Sequence, residues 1–219
     1  VTLTWSIVPD GTPIPQRGPS AFVSRMDAWF GAGQGGADLT LRPWFGWLDA
    51  AFGRWSELGG VDFRYEGADD GAEHRDAPGL LGTRGDVRLA AAAIDGPGGT
   101  LAYSQFPSTG DLVLDLDDSA SWKQSADGHR RLRNVLMHDL GHVLGLDHIA
   151  SSDADFLMEP ALNLRFDGPQ LDDVRGLHAL YGDRAERSAG GLDNDRPEAA
   201  TWLGTLRPER SLAIGAVGA

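Results

Sequence analysis

Residues 138–148 read His138-Asp139-Leu140-Gly141-His142-Val143-Leu144-Gly145-Leu146-Asp147-His148. On a helix, His138 and His142 lie on one face about one turn apart, close enough to bind the same ion. Gly145 predicts the end of that helix, because a residue without a Cβ atom readily adopts the left-handed conformation that turns the chain back. His148 then supplies a third nitrogen. Three protein ligands leave one tetrahedral position of a zinc ion for water, which is typical of catalytic zinc sites.

The same stretch resembles the signature of metzincin metallopeptidases, H-E-x-x-H-x-x-G-x-x-H followed by a methionine turn. Met158, ten residues after His148, is the candidate for that methionine. Asp139 stands where the family has glutamate, the general base that takes a proton from the zinc-bound water. The resemblance therefore implies a zinc bound by His138, His142 and His148, with Asp139 as the catalytic base and Met158 beneath the metal.

A second stretch, residues 95–103, reads Asp95-Gly96-Pro97-Gly98-Gly99-Thr100-Leu101-Ala102-Tyr103 and resembles the matrixin segment D-G-P-G-G-x-L-A-H. In that subfamily of metzincins, the aspartate and the following carbonyls bind a structural calcium together with acidic residues after the next strand. The resemblance thus implies the calcium ligands Asp95, Gly96, Gly98, Thr100, Asp115 and Asp118. The chemistry agrees, because calcium prefers carboxylate and carbonyl oxygens. A plain acidic turn is the alternative.

Matrixins usually carry a second, structural zinc bound by histidines, and this chain departs from that pattern. Tyr103 replaces one of those histidines and Val113 another, and neither offers an imidazole. The sequence therefore predicts one zinc per chain. His74 and Asp76, in a polar loop, are interpreted as a solvated pair rather than as metal ligands, because no further ligand is nearby in sequence.

Residue periodicity predicts the elements that surround these motifs. Alternating apolar residues predict strands, and apolar residues at helical spacing predict helices. Strands are expected at 1–8, 61–65, 86–94 and 101–106, and helices within 20–30, 43–59, 129–144 and 167–182. The fold class is expected to be α/β (α+β), the metzincin fold, with a twisted, mostly parallel five-stranded sheet and three main helices. Asp127 is the candidate N-cap of the third of those helices.

Composition limits the classes of partner. The net charge of −13 argues against nucleic-acid binding, because no basic stripe is available to neutralise phosphates. No cysteine is present, so disulfides and thiolate metal ligands are excluded. No apolar run approaches the length that spans a membrane. A monomer is expected, and secretion is implied by the family resemblance alone.

The chain is expected to contain one main domain and a tail. Residues 1–182 form the matrixin-like catalytic domain in this interpretation. The charged and small residues of 183–198 are typical of a linker, and 199–219 look like the start of an incomplete accessory segment.

The favoured hypothesis is a zinc metalloendopeptidase that hydrolyses internal peptide bonds of a peptide or protein substrate. By analogy with the family, the substrate lies along an edge strand and against the segment after Met158. The candidate substrate-binding residues are Leu101, Ala102, Tyr103, Pro160 and Leu162. Because Asp139 is shorter than glutamate, slow activity is expected. Two alternatives stay open: a zinc-binding homologue without activity, and a calcium-dependent binding module with a structural zinc.

Overall fold

The computed structural model describes residues 1–75, 77–107 and 109–185. Its main sheet has five strands: β1 (Thr2–Ile7), β4 (Asp62–Tyr65), β5 (Val87–Ala92), β6 (Ala102–Ser104) and β7 (Leu112–Asp115). A short hairpin adds β2 (Pro13–Ile14) and β3 (Gly18–Pro19). The main sheet has the order β4-β1-β5-β7-β6, in which all pairs are parallel except β6 with β7. The predicted mostly parallel sheet is confirmed, and β6 forms one of its edges.

In the described residues, five α-helices accompany the sheet: α1 (Phe22–Phe30), α2 (Phe45–Leu58), α3 (Ser119–Trp122), α4 (Arg130–Val143) and α5 (Leu171–Tyr181). A 3-10 turn at Leu39–Leu41 precedes α2. The three longest helices, α2, α4 and α5, are the three main helices that the sequence predicts. None of the helices in the described residues is long and apolar enough to cross a membrane.

Both faces of the sheet are covered, and β5 shows this most clearly because all six of its residues are buried. Leu89 and Ala91 pack into the large core that the sheet shares with the helices. Ala90 and Ala92 belong to a smaller cluster on the other face, together with Ile14 of the β2–β3 hairpin. A strand buried on both faces has little polar alternation, which explains the apolar run in the sequence.

Aromatic contacts join helix α2 to the sheet and to α4. Trp5 of β1 stacks on Phe52 of α2 with ring centroids 4.2 Å apart. The indole of Trp55 is fully buried and donates to the carbonyl of Met137, in α4, at 2.9 Å. Because the indole N–H is buried, this bond is needed to avoid an unpaired donor and it fixes α4 on α2.

The start of α4 differs from the prediction. Residue His129, not Asp127, occupies the N-cap position, with φ 61° and no side-chain capping bond. The predicted cap at Asp127 is therefore wrong. The imidazole of His129 instead packs on Trp47, with ring centroids 3.9 Å apart, and on Phe30 at 5.2 Å. Because the His129 ring packs in this aromatic cluster, the helix begins two residues later than the N-cap preference for aspartate predicts.

The loop before β5 is held by buried polar side chains, and this corrects the interpretation of His74. Its side chain is fully buried, and its Nε2 atom lies 3.1 Å from the carbonyl oxygen of Arg88. Burial lowers the pKa of His74 to about 4, so the imidazole is neutral at neutral pH. The prediction that His74 belongs to a solvated pair is therefore wrong. Its predicted partner, Asp76, lies outside the described residues. The Asp111 carboxylate accepts from the backbone N–H groups of Arg75 at 2.7 Å and of Arg88 at 3.2 Å.

The Arg88 side chain forms a buried ion pair with Asp69. Its Nη2 and Nε atoms donate to the two oxygens of Asp69 at 2.7 and 2.9 Å, and the exposed fractions of the two side chains are 0% and 2%. Burial raises the pKa of Asp69, but hydrogen bonds from Arg88, Ser6 and Gly71 outweigh it, so the pKa lies below its ordinary value. The pair fixes residues 69–75 against the sheet.

The predicted domain boundary falls where α5 ends. The helix stops at Tyr181, and Gly182 follows as its C-cap with φ 72°. Most of the predicted linker at 183–198 and the whole predicted segment at 199–219 lie outside the described residues.

Replacing Asp69 by asparagine is expected to destabilise the fold by about 3–5 kcal/mol, because the guanidinium of Arg88 stays buried without a counter-charge. The measurement is urea unfolding of both proteins. The pKa of Asp69 is lowered in the folded state, so the carboxylate stabilises the parent fully at pH values well above 3.8. The difference in unfolding free energy between parent and variant is therefore largest there, and it becomes smaller as the pH falls below 3.8. The control Glu57→Gln weakens an exposed pair with Arg54 and is expected to cost less than about 1 kcal/mol. Equal losses in the two variants would contradict this account.

Candidate metal centre and active site

Helix α4 and the turn after it bring the three predicted histidines together. His138 and His142 lie on one face of α4, which ends at Val143. Gly145 has φ 98°, and the N–H of Leu146 returns to the carbonyl of Gly141 at 2.9 Å. This backbone path reverses the chain within a few residues, so His148 faces the same point as the other two.

The three Nε2 atoms form an equilateral triangle. Each of the three Nε2–Nε2 distances, between His138, His142 and His148, is 3.1 Å. In a tetrahedral zinc site, metal–nitrogen distances of about 2.0–2.1 Å place ligand nitrogens about 3.3 Å apart. In the described part of the chain, this is the one group of three potential metal-binding side chains that converges.

Backbone carbonyls orient two of the imidazoles. Leu157 O lies 2.7 Å from Nδ1 of His138, and Leu146 O lies 2.7 Å from Nδ1 of His142. A carbonyl only accepts hydrogen bonds, so Nδ1 carries the proton and Nε2 presents its lone pair to the centre of the triangle. Burial, with a smaller effect of the neighbouring histidines, lowers the pKa of His138 to about 4, and burial also lowers the pKa of His142. Neutral imidazoles are the form that binds zinc.

Met158 lies behind the histidines, in contact with α4. A Cβ atom on Gly141 would lie 2.3 Å from the Met158 sulfur, so any larger residue at this position has to displace the Met158 side chain. The Asp173 carboxylate accepts from the N–H groups of Leu157 and Met158 at 2.8 and 3.1 Å. Asp173 therefore fixes the methionine turn and, through Leu157 O, the ring of His138.

Asp139 lies beside the triangle and is 4% exposed. Burial raises the pKa of its carboxyl group to about 7, and the hydroxyl of Ser104 opposes this rise. The same hydroxyl donates to the backbone carbonyl of Asp139 at 2.9 Å and so joins β6 to α4. A buried carboxyl group with a raised pKa, in a cleft beside three convergent imidazoles, has the properties of a catalytic acid–base group.

A cavity of about 690 Å³ opens in front of the histidines. Edge strand β6 forms one wall and the segment after Met158 forms the other. All five predicted substrate-binding residues line it, namely Leu101, Ala102, Tyr103, Pro160 and Leu162. Phe106 and Glu159 also line it, within the edge strand at 101–106 and the segment after Met158 that are expected to meet the substrate. Asp147 lines it as well, and the sequence analysis did not place it there.

The predicted calcium ligands come together only in part. Asp115 and Asp118 are buried, and each has one carboxylate oxygen, Oδ2, without a hydrogen-bond partner. Their other oxygens accept from Ile94 N at 3.0 Å and Gly98 N at 2.9 Å. The Asp95 carboxylate is exposed, and the N–H of Thr100 donates to both of its oxygens at 3.0 Å.

Those two buried, unpaired oxygens fit a hard cation, because a buried carboxylate oxygen without a donor is costly. Gly96 and Gly98, with φ values of 90° and 84°, hold the loop in a conformation that favours glycine. In the described structure the three carboxylates do not converge on one point as the imidazoles do.

The matrixin (peptidase M10) family profile matches residues 46–182. This chain belongs to the matrixin family. Stromelysin-3 of Mus musculus is 40% identical to this matrixin over 92 residues, which cover 40% of this chain and 18% of that protein. Matrix metalloproteinase-C of Caenorhabditis elegans is 27% identical over 166 residues, covering 67% of this chain and 26% of that protein. Metalloendoproteinase 5-MMP of Arabidopsis thaliana is 35% identical over 132 residues, which cover 55% of this chain and 36% of that protein. The matrixin chain thus matches only 18% to 36% of the length of these relatives.

Replacing Gly141 by alanine is expected to displace Met158 and to destabilise the protein by about 1–3 kcal/mol through overpacking. It is also expected to weaken zinc binding, because the displaced turn carries Leu157 O, the partner of His138. Thermal unfolding and competition with a zinc chelator measure the two effects. Gly53→Ala is the matched control, since it adds the same methyl group to helix α2, where a Cβ atom meets nothing within 4 Å. Unchanged zinc affinity in Gly141→Ala would contradict the role of Met158.

Proposed function

We propose that this chain is a zinc-dependent metalloendopeptidase that cleaves internal bonds of peptide or protein substrates. The observation that carries the proposal is the triangle of Nε2 atoms beside the buried Asp139 carboxyl. A zinc ion bound by His138, His142 and His148 would supply a Lewis acid and a bound water of lowered pKa. The family membership supports a metallopeptidase. Secretion and a monomeric state, implied by the resemblance, belong to the same proposal.

Substrate binding is proposed to use the free edge of the sheet. Strand β6 pairs with β7 along one side only, and its other side faces the cavity. An extended peptide that lies antiparallel to β6 extends the sheet by one strand, which gives affinity through backbone hydrogen bonds. Because Ser104 joins β6 to the carbonyl of Asp139, a bound peptide passes close to the general base. Pro160 and Leu162 contribute the apolar wall on the opposite side.

In the proposed mechanism, Asp139 takes a proton from the attacking water and passes it to the leaving amine. Burial favours this role, because a carboxyl group with a raised pKa both accepts and releases a proton near neutral pH. Aspartate is one methylene shorter than glutamate, which withdraws the carboxylate by up to about 1.5 Å. General-base catalysis contributes roughly 10²–10⁴-fold, so a withdrawn base reduces the rate without removing the contribution of the metal.

A comparison of the parent with two variants of Asp139 tests whether this position is catalytic. Asp139→Glu is expected to raise kcat by about 10-fold or more, and Asp139→Ala to reduce it by about 10²-fold or more. The measurement is hydrolysis of one fluorogenic peptide at equal zinc loading, with metal content verified for each protein. If all three proteins are equally inert with zinc bound, the inactive-homologue alternative replaces the proposal.

Structural calcium is part of the proposal, with Asp95, Asp115, Asp118 and the carbonyls of Gly96, Gly98 and Thr100 as ligands. The two unpaired buried oxygens of Asp115 and Asp118 support it. Closing an oxygen cage here ties the glycine loop to the end of β7 beside the cavity wall. The second alternative is a calcium-dependent binding module. It would use the same calcium site, and the protein would have no peptidase activity.

Elemental analysis after dialysis against calcium is expected to give one zinc and one calcium per chain. In Asp118→Asn the zinc is retained, the calcium is lost, and added calcium no longer raises the melting temperature, because ligand binding stabilises by mass action only where the site exists. The asparagine side chain still has an oxygen that can accept the hydrogen bond from Gly98 N, so the loop keeps this contact. Asp117→Asn, an exposed neighbour with the same charge change, is expected to behave as the parent. Two tightly bound zinc ions, or an intact calcium response in Asp118→Asn, would contradict these assignments.

A further inference from the structure

We infer that Glu159 makes the active-site cavity selective for substrates that place a basic side chain, lysine or arginine, beside it. The inference rests on the proposed peptidase function and deepens it by naming a class of substrate. It comes from the position of Glu159 in the cavity wall, its burial, and the lack of any lysine or arginine among the described residues that line the cavity.

Glu159 is a buried carboxylate with one free oxygen. Its exposed fraction is 7%, and it lines the cavity. The Oε1 atom accepts from Ser151 N at 2.8 Å. Within residues 1–75, 77–107 and 109–185, no group donates to Oε2, and the ion pairs there do not include Glu159. Oε2 is also absent from the fully buried oxygen atoms that lack a partner, so it keeps some contact with solvent in a residue that lines the cavity.

Charges of one sign line the cavity. Its described charged residues are Asp139, Asp147 and Glu159, and no lysine or arginine is among the lining residues. Asp139 is assigned to proton transfer in the proposed mechanism. Asp147 is exposed, and one of its oxygens accepts from His148 N at 2.7 Å. Glu159 is therefore the buried carboxylate of the cavity that has neither a catalytic role nor a counter-charge.

A buried carboxylate without a counter-charge is costly, and a substrate cation that reaches it offsets that cost. A neutral substrate side chain at the same place leaves the charge unpaired, and an acidic one adds repulsion. Since Oε1 is already bound to Ser151 N, the free Oε2 offers one strong acceptor site rather than two. The site should therefore select positive charge, without a strong preference for arginine over lysine.

The test uses fluorogenic peptides that are identical except for one position, occupied by lysine, norleucine or glutamate, with that position moved along the peptide. The parent is expected to show a kcat/KM at least about ten-fold higher for lysine than for norleucine at one position, as for a hydrogen bond to a charged group. In Glu159→Gln that ratio is expected to fall close to one. Glutamine retains an acceptor oxygen for Ser151 N, so the fold of the segment is kept.

Glu57→Gln is the matched control, because it makes the same change in net charge on α2, outside the cavity. It is expected to retain the lysine preference. A second readout does not depend on turnover: fluorescence anisotropy of the lysine and norleucine peptides with the metal-free protein. The lysine advantage in binding is expected to weaken with added salt and to vanish in Glu159→Gln.

The outcomes separate the inference from the proposed function. Hydrolysis without a lysine preference, or a preference that Glu159→Gln leaves unchanged, overturns the inference while the peptidase function stands. If neither the parent nor Asp139→Glu hydrolyses any peptide, the peptidase function fails. Anisotropy then decides the inference: a lysine advantage lost in Glu159→Gln supports Glu159 as a charge-selective binding residue, and no such advantage overturns it.

Discussion

Three imidazole Nε2 atoms converge on one point, and much of the structure serves to hold them there. Their separation of 3.1 Å is close to the spacing of nitrogen ligands around one zinc ion, as the proposed metal site requires. Their geometry depends on the carbonyls of Leu146 and Leu157, which orient two rings, and on Met158 packed against Gly141. Gly141 and Leu146 lie in or just after α4, and Leu157 and Met158 lie on the turn before α5, so the candidate metal centre draws these two segments together.

Sheet topology places the site at an edge that can bind an extended chain. Strand β6 is the one antiparallel member of the sheet and lies at its edge, next to α4. An open edge is a liability in most proteins because its backbone groups pair with any exposed strand. Here the edge faces the cavity, where the proposed peptide substrate would pair with it. The Ser104 hydroxyl donates to the backbone carbonyl of Asp139 and so joins the edge strand to the helix that carries the candidate base.

The loop before β5 is held by charge pairs. The Arg88 side chain binds Asp69 and the carbonyl of Ala72, and Asp111 accepts two backbone N–H groups. Tyr103 and Val113, which stand where the resemblance places zinc-binding histidines, are paired across β6 and β7 and belong to an apolar cluster. Ion pairs and packing thus perform, in the described structure, the anchoring of a loop that a bound metal can perform elsewhere.

Features that depend on local spacing can be predicted from the amino-acid sequence alone. Histidines four residues apart share a helix face whatever surrounds them, and Gly145 permits the turn that brings in His148, because both follow from backbone geometry. Features that depend on distant partners follow only from the folded structure. His74 is neutral because the fold buries it, the start of α4 follows the packing of His129 on Trp47, and Asp173 supports the methionine turn from helix α5. Whether a side chain such as Glu159 is buried and lacks a counter-charge depends on how the folded chain packs around it, and no local pattern encodes it.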